Sequence, residues 1–196
     1  MCIRDRPVRD WSTATTYTWT PTATGDYTVT VWARSAGVTV DAAQASAQVT
    51  YSVIANGVNA VSVLPSSGSG SAQTFTLAYS DSRGARNLVA EWVWFSGGTG
   101  MCMIYHERVT NTVYLINDAG SGWHTGLIRS ATTLQNGSCA VNLGNSTVSI
   151  DGPVLTLKLA ISFKAPFTGT KNIAMFASAL DNLSTGWQNR GTWIVP

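Results

Sequence analysis

Alternating apolar and polar residues dominate this sequence and predict β-strands along most of its length. The clearest example follows Pro153, where every second residue of an eleven-residue segment is large and apolar. Strict period-two alternation indicates a strand with one face in the core and the other toward solvent. The apolar set consists of Leu155, Leu157, Leu159, Ile161 and Phe163.

Further alternating segments are separated by short turns throughout the chain. The segment 81–84 and the pair Asp151 and Gly152 have residues typical of tight turns. Many short strands at such spacing predict an all-β fold whose main part is an antiparallel, jelly-roll-like β-sandwich. The predicted strands are 27–34, 47–53, 60–64, 72–79, 87–95, 101–106, 112–117, a strand at Cys139, a strand that ends at 148–150, and 153–163, 169–180 and 186–195.

The first part of the chain holds too few predicted strands for a complete sandwich, which has about seven. Pro21, Gly25 and Tyr27 lead into the alternating strand 27–34. With this spacing the segment resembles the C-terminal half of immunoglobulin-like or fibronectin-type modules of bacterial surface proteins. The resemblance implies that residues 7–54 are the C-terminal part of an immunoglobulin-like domain whose opening strands are missing.

Residues 1–6 read Met-Cys-Ile-Arg-Asp-Arg and resemble a translated sequencing-adapter remnant. On that interpretation Cys2 is left out of the cysteine count, and the lack of a signal peptide says nothing about secretion. A genuine short N-terminal tail is the alternative. The stretch 55–59 is predicted to be a linker, and residues 60–196 are predicted to form the β-sandwich domain.

Three short motifs mark the predicted sandwich domain. They are Leu64-Pro-Ser-Ser-Gly-Ser-Gly70, Tyr114-Leu-Ile-Asn-Asp-Ala-Gly120, and Gly186-Trp-Gln with Gly191-Thr-Trp193. In these motifs the segment resembles a β-sandwich module of large secreted proteins from acidobacteria-like environmental bacteria, a module with no established activity. The resemblance implies an extracellular or cell-surface location.

Composition and charge exclude several classes of function. Charged residues make up 11% of the chain, against about a quarter in an average soluble protein. The net charge is +2 and the basic residues are scattered, so the basic patch of a nucleic-acid-binding protein is missing. No apolar run of the length that spans a membrane occurs, and no motif for a cofactor is present.

Cys102 and Cys139 are predicted to form a disulfide. Both lie in predicted strands, each with an apolar residue two positions further on, and a surface protein is exposed to oxidising conditions. Two unpaired buried thiols are the alternative. A zinc site could be drawn from the same cysteines with His106 and His124, but the second pair lacks compact zinc-like spacing.

No catalytic constellation is indicated by the sequence. His106 and Glu107 begin like the metalloprotease helix signature, but position 110 is Thr and the segment is a predicted strand end. His124 and Asp118 could act as a base with its orienting acid, yet no nucleophile accompanies them. A glycosidase needs two carboxylates across a cleft, and the sequence offers only Glu91, Glu107 and Asp118 without their separation. We therefore expect no catalytic residues and no metal.

The turn between the predicted strands after Tyr114 is the expected ligand site. It gathers Asn117, Asp118, Trp123 and His124 within eight residues on a glycine-rich backbone that a ligand can approach closely. The sheet faces, by contrast, are expected to offer small Thr, Ser and Ala side chains. A structural turn closed by the Asn and Asp side chains is one alternative, and a calcium loop is another.

The tryptophans have two interpretations, core packing or a surface on which sugar rings stack. Trp92 and Trp94 share one face of a predicted strand, and Trp187 and Trp193 frame the last strand. The sequence favours the core for these four and leaves Trp123 open. We expect a non-catalytic spacer or adhesion module of a larger secreted or surface protein, with a carbohydrate-binding module as the alternative and an enzyme as a third. Its partner would be a glycan or another surface protein.

Overall fold

The computed structural model describes residues 10–21, 23, 25–53 and 57–196 of the chain. It is nearly all β, with 60% strand and 3% helix, which confirms the predicted fold class. Two compact units, Met1–Ala55 and Asn56–Pro196, divide the chain. The adapter-like stretch 1–6 lies outside the described residues. In the described part no helix has the length and apolar character needed to cross a membrane.

The described part of the first unit contains one antiparallel pair of strands, β1 (Gly25–Ala33) and β2 (Ala45–Val53), in register from end to end. Almost every described residue of the pair is exposed, and Trp32 leaves 57% of its surface to solvent. The large apolar side chains exposed on the two strands are Val29, Val31, Trp32, Val49 and Tyr51. A hairpin alone does not define an immunoglobulin-like topology, so that assignment stays a prediction.

The second unit is a sandwich of two sheets. The five-stranded sheet has the order β10-β11-β12-β5-β3, and the seven-stranded sheet has the order β4-β14-β13-β6-β7-β8-β9. All pairings within the two sheets are antiparallel except that of β4 with β14. The strands of the five-stranded sheet are β3 (Val58–Leu64), β5 (Ala72–Asp81), β10 (Thr133–Gln135), β11 (Cys139–Asp151) and β12 (Val154–Phe163). Those of the seven-stranded sheet are β4 (Ser67–Ser69), β6 (Leu88–Ser96), β7 (Cys102–Glu107), β8 (Thr112–Ile116), β9 (Trp123–Leu127), β13 (Gly169–Ala179) and β14 (Gln188–Val195).

Two 3-10 turns, Ala85–Asn87 and Ala165–Phe167, join strands that lie in different sheets. The turn at Gly152 joins β11 to β12 with φ +53°, as the Asp151 and Gly152 pair predicts. The predicted linker 55–59 needs correction at its end, because Val58 and Asn59 already belong to β3. Both residues pair with the end of β5, opposite Asp81 and Ser80.

The core lies between the two sheets and is built from the inward residues of each alternating strand. Leu155, Leu157, Leu159, Ile161 and Phe163 of β12 are all buried, as the alternation predicts. The Phe75 ring of β5 crosses to the other sheet, with its centroid 4.9 Å from that of Phe95 and 5.2 Å from that of Trp193. Burial of such side chains contributes about 1.5–3 kcal/mol each.

The predicted disulfide between Cys102 and Cys139 is confirmed, with α-carbons 5.8 Å apart. Cys102 begins β7 in one sheet and Cys139 begins β11 in the other, and both are fully buried. The bond therefore connects the two layers of the sandwich covalently.

Removal of the disulfide should lower the free energy of unfolding. The bond spans 37 residues, for which loss of chain entropy in the unfolded state corresponds to about 4 kcal/mol. We expect the double variant Cys102→Ser/Cys139→Ser to lose stability of this order in urea denaturation. Reductant should destabilise the wild type and leave the double variant unchanged; equal stability of both proteins without reductant would contradict the prediction.

Residues 57–196 should fold without the first unit, because every strand of both sheets lies within them. A peptide of residues 10–53 should not, since an isolated two-stranded hairpin is marginal in water. Circular dichroism should show one cooperative thermal transition for the first fragment and none for the second. Cooperative melting of the shorter peptide would contradict the prediction.

Candidate functional site

A row of aromatic side chains crosses the outer surface of the seven-stranded sheet. Phe176, Trp92, Tyr105 and Tyr114 are direct cross-strand neighbours on β13, β6, β7 and β8. Together with Trp94, Trp123 and Trp187 they form what we call the aromatic face. Side chains opposite each other on adjacent strands lie close enough to interact, so the row follows directly from the register.

The rings at the centre of the aromatic face stand side by side. The centroids of Trp92 and Tyr105 are 4.2 Å apart with planes 23° from parallel. Those of Tyr105 and Tyr114 are also 4.2 Å apart, with planes only 3° from parallel. Because their faces cover one another, these three rings present mainly their edges to solvent.

Trp123 and Trp187 lie on the same face of the sheet as the row and approach it from opposite edges. Trp123 begins β9 and reaches past β8, so that its ring centroid lies 5.0 Å from Tyr105 and 5.7 Å from Trp92. Trp187 immediately precedes β14, and its centroid lies 6.3 Å from Trp92 and 5.6 Å from Phe176. Both indoles meet Trp92 nearly perpendicularly, at 77° and 79°.

The two flanking tryptophans are the solvent-accessible part of the aromatic face. Trp123 is 38% exposed and Trp187 is 46% exposed, whereas the row between them is half-buried. An exposed aromatic surface of this kind is more typical of a binding site than of a bare protein surface. The two indoles are therefore the part of the aromatic face that is most accessible to a ligand.

A carboxylate stands at one end of the aromatic row. The Tyr114 hydroxyl donates to Glu107 Oε2 over 3.1 Å, and Thr110 Oγ1 donates to the same oxygen over 2.6 Å. Desolvation, and next the hydrogen bond to Glu107, raise the pKa of Tyr114. Desolvation, followed by the nearby Tyr114, raises the pKa of Tyr105. Both phenols are thus neutral donors at physiological pH, and Glu107 is an acceptor held in place.

The expectation that the tryptophans of β6 and Trp187 pack in the core is wrong. Val93 and Phe95 face the other sheet, so the residues between them, Trp92 and Trp94, point outward. Trp193 does lie in the core, at 4% exposure. The expected small side chains on the sheet surface are likewise replaced, on this sheet, by the aromatic face.

The four residues of the predicted turn site do not form one surface. Asn117 Oδ1 accepts hydrogen bonds from the backbone of Ser121 and Gly122, and Asp118 Oδ1 accepts one from Gly137 N. The Asn117 contacts match the alternative in which its side chain closes a structural turn. Asp118 instead connects this turn to Gly137, 19 residues further along the chain.

Trp123 and His124 then separate at the start of β9. Successive residues of a strand point to opposite faces, so Trp123 joins the aromatic face while His124 points away from it. His124 lines a shallow cavity of about 400 Å³ with Thr133 and Gln135 of β10. Whether the predicted site binds a ligand remains a prediction, but its residues face two different surfaces.

Asn136 holds the turn in place and went unrecognised in the sequence. Its Nδ2 donates to the carbonyls of Met101 and Ile116, and its Oδ1 accepts from the backbone of Ser138 and Cys139. A buried amide with all these partners connects the start of β7, the end of β8 and the start of β11. The only sequence signal was an Asn-Gly pair next to a cysteine, which is typical of any tight turn.

The zinc and catalytic candidates are not brought together. The disulfide removes both thiolates from the zinc set, and no cluster of three metal-ligating side chains occurs within residues 10–21, 23, 25–53 and 57–196. Glu91 points into the sandwich while Glu107, which follows the inward-facing His106 on the neighbouring strand, points outward. Asp118 lies at the turn, so these carboxylates do not flank a common cleft.

Two inward-facing groups at one end of the core are ionisable partners. Glu91 Oε2 lies 2.7 Å from His106 Nδ1, and His106 Nε2 lies 3.1 Å from Asn111 Oδ1. Burial raises the pKa of Glu91, although the hydrogen bond with His106 opposes the shift. The sequence could not suggest this pair, since a buried Glu and a buried His are both unusual at strand positions.

Lys171 is buried at the other end of the core without a carboxylate partner among the described ion pairs. Its Nζ donates to the Gly97 carbonyl over 2.6 Å and lies 3.9 Å from the Phe167 ring centroid. Desolvation lowers the pKa of Lys171 below its ordinary value of 10.5. The side chain lies at the edge of the core, away from the aromatic face.

No protein-family model matches this chain, and no curated protein or solved structure is significantly similar to it.

Lys171 should make stability depend on pH in the alkaline range. Between its lowered pKa and 10.5 the unfolded chain binds more protons than the folded one, so the free energy of unfolding contributed by this group rises with pH. Relative to Lys171→Met, which cannot titrate, the wild type should gain stability toward pH 10.5 and then level off. Urea denaturation of both proteins across this range is the measurement; parallel curves would contradict the predicted shift.

Proposed function

We propose that Asn56–Pro196 is a non-catalytic module of a secreted or cell-surface protein and that its aromatic face binds glycans. The observation that carries the proposal is that two exposed indoles, Trp123 and Trp187, contact Trp92 on one face of the sheet, each from a different edge. The buried disulfide supports an oxidising compartment. The resemblance to modules of secreted bacterial proteins points the same way.

The residue types of the aromatic face suit a sugar ligand. One face of a pyranose ring carries mostly C–H groups and packs on an aromatic ring, while its hydroxyls seek hydrogen-bond partners at the edges. Tyr and Trp combine an apolar body with a polar tip, and these two residue types supply most of the aromatic face. Glu107, held by Tyr114 and Thr110, is available to accept from a sugar hydroxyl at the end of the row.

The geometry favours an extended sugar chain over a single buried ring. The exposed indoles arise from β9, at one margin of the sheet, and from the residue before β14, near the other. Their rings lie against Trp92 from its two sides, with centroids 5.7 and 6.3 Å from it, so a ligand that contacts both must pass over Trp92. Affinity would then come from two stacking contacts on one chain, which suits the modest affinity of a surface-adhesion module.

A spacer or adhesion role without a glycan is the second candidate. The observation that favours it is the presence of two compact β units in one chain. This candidate needs no ligand on the aromatic face and is decided by the same experiment.

Loss of either exposed indole should weaken glycan binding. A glycan array on the full chain would identify a ligand, and calorimetric titration would then compare the wild type with Trp123→Ala and Trp187→Ala. We expect each variant to raise the dissociation constant at least about tenfold, which corresponds to about 1.4 kcal/mol of lost stacking.

Two further variants give the experiment its controls. Trp32→Ala removes an exposed tryptophan from the first unit and should leave the dissociation constant unchanged. His124→Ala alters the opposite face of β9, so loss of binding only there would place the site at the predicted turn. Unchanged binding in both aromatic-face variants would overturn the proposal, and a wild type that binds no glycan would leave the spacer role.

A further inference from the structure

A second cavity opens on the flank of the sandwich, between the β7–β8 turn and β11. Its volume is about 470 Å³, and we call it the basic cavity. The residues that define it are Arg86, His106, Arg108, Asn111, Val148 and Ile150. It shares no residue with the aromatic face, because the inward His106 and the outward Glu107 lie on opposite sides of β7.

The floor of the basic cavity is polar and buried. His106 is 1% exposed, and each of its ring nitrogens lies within hydrogen-bond distance of an oxygen, Glu91 Oε2 at 2.7 Å and Asn111 Oδ1 at 3.1 Å. These contacts hold the imidazole ring in place at the base of the cavity.

The walls carry two arginines with unused donors. Arg108 donates through Nε to the Leu88 carbonyl, which fixes the guanidinium in place. Its terminal nitrogens make no other hydrogen bond within the described part of the chain, and the Arg86 guanidinium makes none there either. A guanidinium presents several N–H donors in a planar fork that matches an oxyanion.

Carboxylates near the basic cavity are already engaged elsewhere. Asp81 and Asp181 both bind Arg83, at 2.7 Å and 2.5 Å. Glu107 accepts from Thr110 and Tyr114 on the outer surface of the sheet. Glu91, hydrogen-bonded to His106, acts electrostatically on Arg108, but no carboxylate forms an ion pair with Arg86 or Arg108 in the described part of the chain.

The remaining wall is mainly apolar. Val109 in the β7–β8 turn and Val148 and Ile150 of β11 line the cavity together with Ser149, and Ile150 is 39% exposed. A ligand with an anionic head and a short apolar portion would satisfy both kinds of surface.

We propose that the basic cavity is a binding site for an oxyanion group, a carboxylate or a sulfate, whose attached apolar portion packs on Val148 and Ile150. The site is independent of the glycan proposal, since neither requires the other. Its ligand can be a small free acid or an acidic substituent of a larger molecule, and both present the same chemistry to Arg86 and Arg108.

Nuclear magnetic resonance titration of the full chain tests the proposal. Sodium sulfate and sodium butanoate would be added separately at constant ionic strength, with sodium chloride as the reference, while the Val148 and Ile150 methyl signals and the His106 ring signals are followed. We expect saturable shifts with at least one of the two anions and none with chloride. Response to butanoate alone identifies a carboxylate with an apolar portion as the ligand class, and response to sulfate alone identifies a sulfate group.

Charge-matched variants separate a site from general attraction of anions. Arg86→Gln removes a free guanidinium and should weaken binding at least about tenfold, whereas Lys158→Gln removes the same charge from an exposed position of β12 and should not. Arg108→Lys keeps the charge and loses the planar fork, so it should also weaken binding. No saturable shift with either anion, or equal weakening by Arg86→Gln and Lys158→Gln, would overturn the proposal.

Discussion

Contact between the aromatic side chains of the two sheets fixes the orientation of everything else in the sandwich. Phe75 of β5 meets Phe95 of β6 and Trp193 of β14 across the interface. Once Phe95 points inward, period-two geometry requires that Trp92 and Trp94 point outward. A slip of one residue in β6 would exchange the two sets. The surface proposed to bind ligands is thus a direct consequence of how the core packs.

The alternation in the sequence was enough to predict the all-β class and most of the strands, because it is a local property. It also divided β6 into two sets of residues, one with Val93 and Phe95 and one with Trp92 and Trp94. It could not tell which set faces the other sheet, since both sets are apolar. That choice is made by the partner strands, which come from distant parts of the chain.

The candidate site shows the same limit. The turn with Asn117 and Asp118 was predicted correctly as a turn, and the disulfide from Cys102 to Cys139 followed from residue type and setting. The aromatic face was not predicted, because its members lie on β6, β7, β8, β9, β13 and the segment before β14. Only the order of strands in the sheet brings them together. Asn136 and the Glu91 and His106 pair were missed for the same reason, since their partners are remote in sequence.

The margins of the aromatic face have a consequence for how the surface comes into being during folding. Trp123 belongs to the last strand of a meander that begins at β6. Trp187 is positioned by the hairpin of β13 and β14, which lies much later in the chain. Neither portion of the chain can present both indoles by itself. The meander and the β13–β14 hairpin must both pair in the sheet before the surface exists. The surface therefore requires both parts of the seven-stranded sheet, and the environments of Trp123 and Trp187 depend on the pairing of those parts.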